Sequence, residues 1–396
     1  MMNNLESVEL FSGAGGLALG LEESGWRHLA LVEKDRHACS TIRLNASRGH
    51  PLAMDWKLYP DDVRNIEYRN ITDDVDMVAG GPPCQPFSLG GRHRAYQDHR
   101  DMFPEAVRAV RELEPKYFLF ENVKGLLRQS FTTYFNYIIL QLIYPTVVKE
   151  NNEDWRAHLS RLEKRHTGLE RSDLSYRVVY RLLNAAEYGV PQYRHRVFIV
   201  GFRSDSGQAW SFPKPTHSLD RMLWDQWVNG SYWDEHEVAQ KHRPPIPEKH
   251  KKRLDEIASD FFLNPPPGDR FGTVRDALLD LPDPVFHDDA FMNHEFQPNA
   301  RPYPGHTGSS LDEPAKALKA GDHGVPGGEN MIAFYDGHHR YFTVRESARI
   351  QTFPDDYAFS GSWTEAMRQL GNAVPVRLAS IVGDSIRRQA ARVRGE

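Results

Sequence analysis

The sequence predicts an α/β protein with a mainly parallel sheet and a second domain that is rich in loops. Short apolar runs with many β-branched and aromatic residues alternate with helical patterns through the first half of the chain, the order typical of βαβ units. After residue 202, proline, glycine, histidine and tryptophan become frequent and regular elements are hard to place. The length of 396 residues also favours two domains.

Hydrophobic periodicity assigns the elements in order. Strands are predicted at residues 8–11, 28–33, 76–80, 117–122, 176–183 and 196–202. Helices are predicted at residues 17–24, 36–45 and 102–113. Helical order returns at residues 344–351 and 377–394. Between these groups the tryptophans Trp210, Trp224, Trp227 and Trp233 favour a packed domain over a long disordered insert.

Composition limits the classes of function. The formal net charge of −5 gives no global basic signal, so any nucleic-acid partner must be met by local clusters of Arg and Lys. Two cysteines cannot form a disulfide framework and offer no zinc spacing. The N-terminus lacks a basic-then-apolar signal pattern, and polar residues and a proline interrupt the apolar run at residues 134–148. We therefore expect a soluble, cytoplasmic protein with no metal and no membrane partner.

One of the cysteines lies in a loop suited to a nucleophile. The run Gly80-Gly81-Pro82-Pro83-Cys84-Gln85-Pro86 follows a predicted strand, and its prolines fix φ on either side of Cys84 and its neighbour. The glycines let the backbone turn and leave room for a flat substrate. The alternative is a buried cysteine that behaves as a small hydrophobic residue, which the loop alone does not exclude.

A glycine-rich motif joins the first predicted strand to the first helix. The run Phe11-Ser12-Gly13-Ala14-Gly15-Gly16 allows a tight turn and a close approach of the backbone to a nucleotide. Glu33 ends the second predicted strand, where Rossmann-like sites hold an acid for ribose hydroxyls. Because no hydride-transfer residues accompany the motif, a cofactor with adenosine and no phosphates fits better, which indicates S-adenosylmethionine. The alternative is a glycine turn that only packs a helix on the sheet.

Five motifs follow one another along almost the whole chain outside residues 203–339. They are Phe11-Ser12-Gly13-Ala14-Gly15-Gly16, Pro83-Cys84-Gln85, Glu121-Asn122-Val123, Gln192-x-Arg194-x-Arg196 and Gly371-Asn372-Ala373-Val374. In this order the chain resembles the cytosine-C5 DNA methyltransferases of bacterial restriction-modification systems. The resemblance implies a Rossmann-like catalytic domain that binds S-adenosylmethionine at residues 1–202, a target-recognition domain at 203–340, and a return to the catalytic domain at 341–396.

The resemblance also implies catalytic roles. Cytosine C5 is a poor nucleophile, so the family first adds a cysteine thiolate to C6, and Cys84 matches that nucleophile. Glu121 matches the acid at N3, and donation would require a proton that burial in an apolar site favours. Arg196 matches the cation at O2, and Arg194 the residue that supports the active-site loop.

Cofactor contacts are implied in the same way. The matching positions lie in the glycine-rich turn, at the ends of early strands, beside the cysteine and in the last motif. They are Phe11, Ser12, Gly13, Gly15, Glu33, Asp62, Val63, Pro83, Asn372 and Val374. S-adenosyl-L-homocysteine would be the product. Lys34 occupies a position where the family often has a bulky apolar residue against the adenine. Asp61 would take the place of Asp62 if the short motif were aligned one residue earlier.

The implied partner is double-stranded DNA, bound by a monomer that flips the target base out of the duplex. Residues 89–100 resemble the loop that closes over DNA, with a solvated basic loop as the alternative. The expected DNA contacts are Gln85, Ser88, Arg92 and Arg94. Arg345 is expected to have a structural or a phosphate-binding role. The resemblance would place the protein at the bacterial nucleoid, and it leaves open the recognition sequence and a genetic link to a restriction endonuclease.

Other functions stay open at this point. A tRNA cytosine-C5 methyltransferase would keep the chemistry and change the substrate, although that relative largely lacks the long recognition segment. A regulatory protein on an inactive scaffold conflicts with intact Cys84, Glu121 and Arg196. A nicotinamide-dependent oxidoreductase leaves Cys84 and Glu121 unexplained. The charged segment at residues 149–173 is interpreted as a solvated helical insertion, with partner binding as the alternative.

Overall fold

A computed structural model describes residues 5–83, 101–168, 174–207, 209–260, 264–286, 290–321 and 330–394. The chain forms two compact units. The first comprises Met1–Leu183, His195–Pro213 and Ala379–Glu396, and the second comprises Asn184–Arg194 and Lys214–Leu378. Compared with the predicted division, the second unit begins at residue 214 instead of 203 and also includes residues 184–194 and 341–378. The chain returns to the first unit at residue 379.

A seven-stranded sheet forms the centre of the first unit. The early strands of the chain are β1 (Leu5–Leu10), β2 (Trp26–Val32), β3 (Leu58–Tyr59), β4 (Met77–Gly80), β5 (Tyr117–Val123), β6 (Tyr176–Asn184), β7 (Gln192–Tyr193) and β8 (His195–Arg203). The sheet order is β3-β2-β1-β4-β5-β8-β6. The pairs from β3 to β5 are all parallel, and β8 runs antiparallel to β5. The predicted α/β class with a mainly parallel sheet is confirmed.

Helices pack on this sheet through apolar stripes. They are α1 (Gly16–Glu23), α2 (Arg36–Ser47), α3 (Phe103–Leu113), α4 (Thr132–Ile143) and α5 (Trp155–Thr167). Asp35 begins α2 by accepting hydrogen bonds from the amides of His37 and Ala38, a cap that satisfies otherwise unpaired donors. On α3 the apolar stripe of Ala106, Val107, Val110 and Leu113 is buried in the core. The three predicted helices in this part of the chain are confirmed within two residues at each end.

The predicted insertion at residues 149–173 is helical, but it is not simply solvated. Helix α5 begins after the cap Asp154 and buries His158, Leu159 and Leu162. The two leucines belong to the main hydrophobic core of the first unit. The charged residues around Leu159 and Leu162 hid this buried face in the sequence. Residues 169–173 lie outside the described residues.

Short elements dominate the second unit, as predicted. Its helices are α6 (Leu219–Leu223), α7 (Ser231–Glu235), α8 (Glu248–Asp260), α9 (Val274–Leu278), α10 (Val344–Ile350), α11 (Trp363–Asn372) and the start of α12 (Val376–Arg394). Beyond β7, its strands are β9 (His217–Ser218), β10 (Asp269–Arg270), β11 (Ser309–Ser310), β12 (Ala315–Lys316), β13 (Met331–Ala333) and β14 (His339–Tyr341). Trp233 is buried and lies 5.2 Å from the ring of Trp227, so the aromatic residues pack as expected.

No described helix combines the length and the apolar character needed to cross a membrane. This finding covers the seven ranges of the chain given above.

A charged cluster is buried within the first unit. The ring of His28 on β2 lies between two carboxylates, with Nε2 3.2 Å from Glu9 and Nδ1 3.0 Å from Glu22. The Glu22 carboxylate also accepts a hydrogen bond from Trp56. Burial alone would lower the pKa of His28, but the hydrogen bonds to Glu22 and Glu9 and their charges raise it to about 9. The folded protein therefore holds a proton that the unfolded chain releases more easily.

We expect the free energy of unfolding to fall as the pH rises from 6.5 to about 9. The contribution of His28 is complete below its unfolded pKa of 6.5 and is lost as the pH passes about 9. Chemical unfolding of the wild type and of His28→Gln at several pH values between these limits measures the effect. The variant should lose most of this slope, whereas His242→Gln, at an exposed histidine, should keep it. Parallel pH profiles for the wild type and His28→Gln would contradict the prediction.

Candidate active site

Two of the predicted catalytic side chains form a buried ion pair. In the register of β5 and β8, Glu121 lies opposite Phe198 and Val123 lies opposite Arg196. Glu121 and Arg196 therefore share one face of the sheet as diagonal neighbours. The Arg196 Nε lies 2.6 Å from Glu121 Oε1, and their side chains are only 13% and 8% exposed. A carboxylate and a guanidinium thus stand side by side at the end of a parallel strand.

This pairing changes the expected state of Glu121. The sequence predicts a protonated acid in an apolar surrounding, whereas a guanidinium in direct contact stabilises the ionised carboxylate. Burial lowers the pKa of Arg196, and the charge of Glu121 opposes that shift. Before a substrate enters, the contact with Arg196 therefore favours the carboxylate form of Glu121, against the burial that favours its neutral form.

The strand that leads to the cysteine loop is held close to this pair. A Cβ atom on Gly80 would lie 2.4 Å from the backbone oxygen of Leu10, so the close approach of β4 to β1 requires glycine. This requirement for close backbone approach explains Gly80, in place of the sharp turn that the sequence suggests. A Cβ atom on Gly81 would lie 3.5 Å from Glu121 Oε2. The chain thus passes the carboxylate just before residue 84.

Hydrogen bonds fix the described chain on both sides of residues 84–100. The Asn122 side chain donates to the Pro82 oxygen at 2.9 Å, and the Met102 amide donates to the Pro83 oxygen at 3.2 Å. Asn122 is buried and was absent from the predicted site. Its place beside Glu121 at a strand end is the signal that could have identified it. The structure brings predicted Pro83 to this edge.

The remaining predicted residues of that loop lie outside the described residues. They are Cys84, Gln85, Ser88, Arg92 and Arg94.

The glycine-rich turn connects β1 to α1 and contacts the carboxyl end of β2. Phe11 has a φ of 56°, a left-handed conformation that is uncommon for a residue other than glycine. The Ser12 amide donates to the Val32 oxygen at 3.2 Å. The Gly13 amide donates to Glu33 Oε2 at 2.8 Å, and Gly15 is the N-cap of α1. Of the predicted cofactor residues in this turn, Gly13 therefore contacts the Glu33 carboxylate directly.

Glu33 has capacity for a further ligand. Its Oε1 accepts from the Asp35 amide at 2.7 Å and its Oε2 from the Gly13 amide. Because each carboxylate oxygen has two lone pairs, acceptor positions remain for hydroxyl groups. Burial raises the pKa of Glu33, although the backbone amides stabilise its charge. Space is open beside Gly13, where a Cβ atom would meet nothing within 4 Å. These features fit a nucleoside with its ribose near Glu33.

The predicted adenine position carries a charge cluster that the sequence did not suggest. Asp62 begins a short 3₁₀ turn at Val63–Asn65, and Val63 is buried. The Asp62 carboxylate contacts Lys34 Nζ at 3.1 Å and Arg64 Nη2 at 2.7 Å, which lowers its pKa. Lys34 is 61% exposed, so its ion pair with Asp62 contributes little stability and can be given up to a ligand.

Arg194 does not lie with Arg196. It belongs to the second unit, has no exposed surface, and donates to the backbone oxygens of Leu318, Gly371 and Ala373. The described contacts of Arg194 reach the last motif, because the chain breaks between β7 and β8 at this residue. The predicted support of the active-site loop stays a prediction, since residues 84–100 lie outside the described residues.

Arg345 is likewise enclosed in the second unit. Its guanidinium donates to the oxygens of Met292, Pro354 and Tyr357 at 2.8–3.0 Å, and burial lowers its pKa to about 10. The side chain is 0% exposed, so no surface is available to contact a phosphate. Of its two predicted roles, the contacts support the structural one, and the phosphate-binding role stays a prediction that this burial disfavours.

The last motif is partly exposed. Asn372 ends α11 and is exposed, whereas Val374 is buried within the second unit.

Among the described residues, one group has metal-ligand types in contact, namely Glu235, His236 and Asp276. Arg270 donates to both of its carboxylates, which neutralises much of the charge that a cation would meet.

Sequence comparison with known proteins finds matches over nearly the whole chain. The family model for the C-5 cytosine-specific DNA methylase matches residues 5–144 and 146–388. The Type II methyltransferase M.PspPI of Psychrobacter sp. is 32% identical over 385 residues, which cover 96% of this chain and 78% of that protein. The Type II methyltransferase M.Eco47II of Escherichia coli is 33% identical over 393 residues, with 97% and 79% covered.

Solved structures share the fold. A DNA modification methyltransferase encoded within an E. coli prophage aligns with a TM-score of 0.57 at 20% identity, over 98% of this chain and 99% of that one. A mutant of Spodoptera frugiperda DNMT2 aligns with a TM-score of 0.56 at 17% identity, over 99% and 100%. Each of these alignments includes residues of both units of the chain.

Proposed function

Since the chain belongs to the C-5 cytosine-specific DNA methylase family and is a DNA (cytosine-5-)-methyltransferase, we propose that it methylates one cytosine within a short duplex recognition sequence. The methyl donor is S-adenosylmethionine, and Cys84 is the covalent nucleophile. The observation that carries the proposal is the buried Glu121–Arg196 pair, 2.6 Å apart, beside the strand that leads to Cys84.

The reaction begins with the target base outside the duplex, because a stacked cytosine cannot reach a buried pair. The Cys84 thiolate adds to C6, and the electron pair of the C5–C6 double bond makes C5 nucleophilic. C5 then takes the methyl group. Loss of the C5 proton and expulsion of the thiolate restore the aromatic ring.

The ion pair would stabilise the adduct. Addition of the thiolate pushes negative charge onto N3 and O2, so a cation at O2 and a proton at N3 lower the barrier. Arg196 supplies the cation. Because Arg196 favours ionised Glu121 in the free protein, Glu121 must take up its proton as the base enters. Cytosine would then occupy the place between the two side chains and the cysteine loop.

The cofactor would bind at the glycine-rich turn. Glu33 would accept the ribose hydroxyls, Phe11 would pack beneath the base, and Asp62 with Val63 would border the adenine. The retained acceptor positions of Glu33 and the open space beside Gly13 support this assignment. S-adenosylmethionine, when bound, supplies an electrophilic methyl group on a sulfonium. Ser12, Gly15, Pro83, Asn372 and Val374 complete the proposed set.

The second unit would recognise the target sequence, and the loop after Cys84 would contact the DNA backbone. Gln85, Ser88, Arg92 and Arg94 remain the proposed contacts of that loop. The similar bacterial proteins are named Type II methyltransferases, which supports a place in a restriction-modification system with a cognate nuclease. We propose that the enzyme acts as a monomer at the nucleoid.

Methylation of nucleic acid by the pure protein tests this function. Genomic DNA and tRNA are incubated separately with S-adenosylmethionine and then sequenced after bisulfite conversion. We expect 5-methylcytosine in DNA, confined to one short sequence context, and unmodified tRNA. Methylated tRNA beside unmodified DNA would overturn the proposal in favour of the RNA-directed alternative.

A further inference from the structure

The Arg194 guanidinium binds the backbone on both sides of one residue of the last motif, Asn372. Its Nη2 donates to the Gly371 oxygen at 2.6 Å and to the Ala373 oxygen at 2.8 Å. These two carbonyls flank Asn372, the last residue of α11, whose side chain is exposed. A single nitrogen thus binds the backbone on both sides of one exposed amide side chain.

The local sequence explains why this position needs a guanidinium. The last carbonyls of a helix have no partner within the helix, and Ala373 turns to an extended conformation with ψ of 148°. Pro375 follows and has no amide hydrogen with which to continue the chain. A cation at the end of a helix also meets the favourable end of its dipole. Arg194 supplies both the donors and the charge.

Further contacts fix residues 315–320, against which the backbone of Gly371 packs. The Gln192 side chain accepts a hydrogen bond from the Leu318 amide at 3.1 Å, and β7 pairs with β12. A Cβ atom on Gly371 would lie 2.2 Å from the backbone nitrogen of Ala320. The backbone before Asn372 is therefore packed too tightly to shift without loss of the Arg194 bonds.

We propose that Arg194 is a positioning residue for Asn372, which it holds in the orientation that binds the adenosyl cofactor. The proposal rests on the cofactor assignment of Asn372 given above. It predicts that Arg194 influences cofactor affinity only while the Asn372 amide is present. A purely structural arginine would instead change affinity by the same factor whether or not that amide is there.

A double-mutant cycle tests this coupling, with calorimetric binding of S-adenosylhomocysteine as the measurement. We expect Arg194→Lys and Asn372→Ala each to raise the Kd about tenfold. A lysine keeps the charge but cannot bind both carbonyls with the same geometry. The double variant should bind no more weakly than Asn372→Ala alone. Multiplicative effects of the two changes would overturn the proposal, as would unchanged binding by Arg194→Lys.

Arg345→Lys is the matched control. Arg345 is equally buried in the same unit and also holds three backbone oxygens, but none of them flanks Asn372. Its effect on the Kd should be the same with and without Asn372→Ala, and a coupling as large as that of Arg194 would contradict the specific role. The binding measurement does not require DNA. Failure to methylate DNA would therefore contradict the proposed function and leave this proposal standing. Absence of S-adenosylhomocysteine binding by the wild type would refute the assignment of Asn372 and this proposal together.

Discussion

The Glu121→Gln variant is expected to lower kcat for methyl transfer to DNA by about 10²–10⁴-fold while the protein stays folded. Glutamine keeps the shape and an oxygen that accepts from Arg196, so the buried guanidinium retains a partner. It cannot deliver a titratable proton to N3. The loss should therefore appear in kcat and leave binding of S-adenosylhomocysteine within about twofold, because the cofactor is proposed to bind elsewhere.

Steady-state methylation with saturating DNA and cofactor measures this change in kcat. The matched control is Glu105→Gln on α3, where Glu105 pairs with Arg108 at 2.7 Å and is partly exposed. That variant should keep kcat within about twofold, since a partly exposed pair contributes little. A Glu121→Gln enzyme with more than a tenth of the wild-type kcat would show that Glu121 has no proton-donating role.

The sheet and its first helices were predictable because local sequence decides them. Buried parallel strands need continuous apolar runs, and the helices between them need a stripe such as that of α3. Glu121 and Arg196 were predicted separately, and the register of β5 and β8 is what brings them into contact. That register is a tertiary property, and therefore the ion pair and its effect on the charge of Glu121 were not foreseen.

Arginine roles were the least predictable part of the site. A regular strand would place Arg194 and Arg196 on one face, but the chain breaks at Arg194 and sends the two guanidinium groups into different units. Arg194 and Arg345 are both buried because distant carbonyl groups need donors. Sequence does not reveal those carbonyl groups, so a buried arginine and a phosphate-binding arginine have the same local pattern.

The Cys84→Ser variant is expected to lose methylation by at least about 10⁴-fold and to form no covalent complex. A serine hydroxyl has almost no anion at neutral pH, so it cannot add to C6 at a useful rate. DNA that carries 5-fluorocytosine in the recognition sequence measures the step directly. Fluorine at C5 cannot leave as a proton does, so the thioether between the wild-type protein and DNA should persist through denaturing electrophoresis.

Cys39→Ser is the control for this experiment because Cys39 is the other cysteine of the chain. Its thiol is buried, donates to the Glu33 oxygen at 3.2 Å, and has a pKa raised to about 11 by burial. Such a thiol is protonated at neutral pH and is therefore a poor nucleophile. Cys39→Ser should therefore form as much covalent complex as the wild type. A complex that persists in Cys84→Ser but disappears in Cys39→Ser would show that Cys39 is the nucleophile and would contradict the assignment of Cys84.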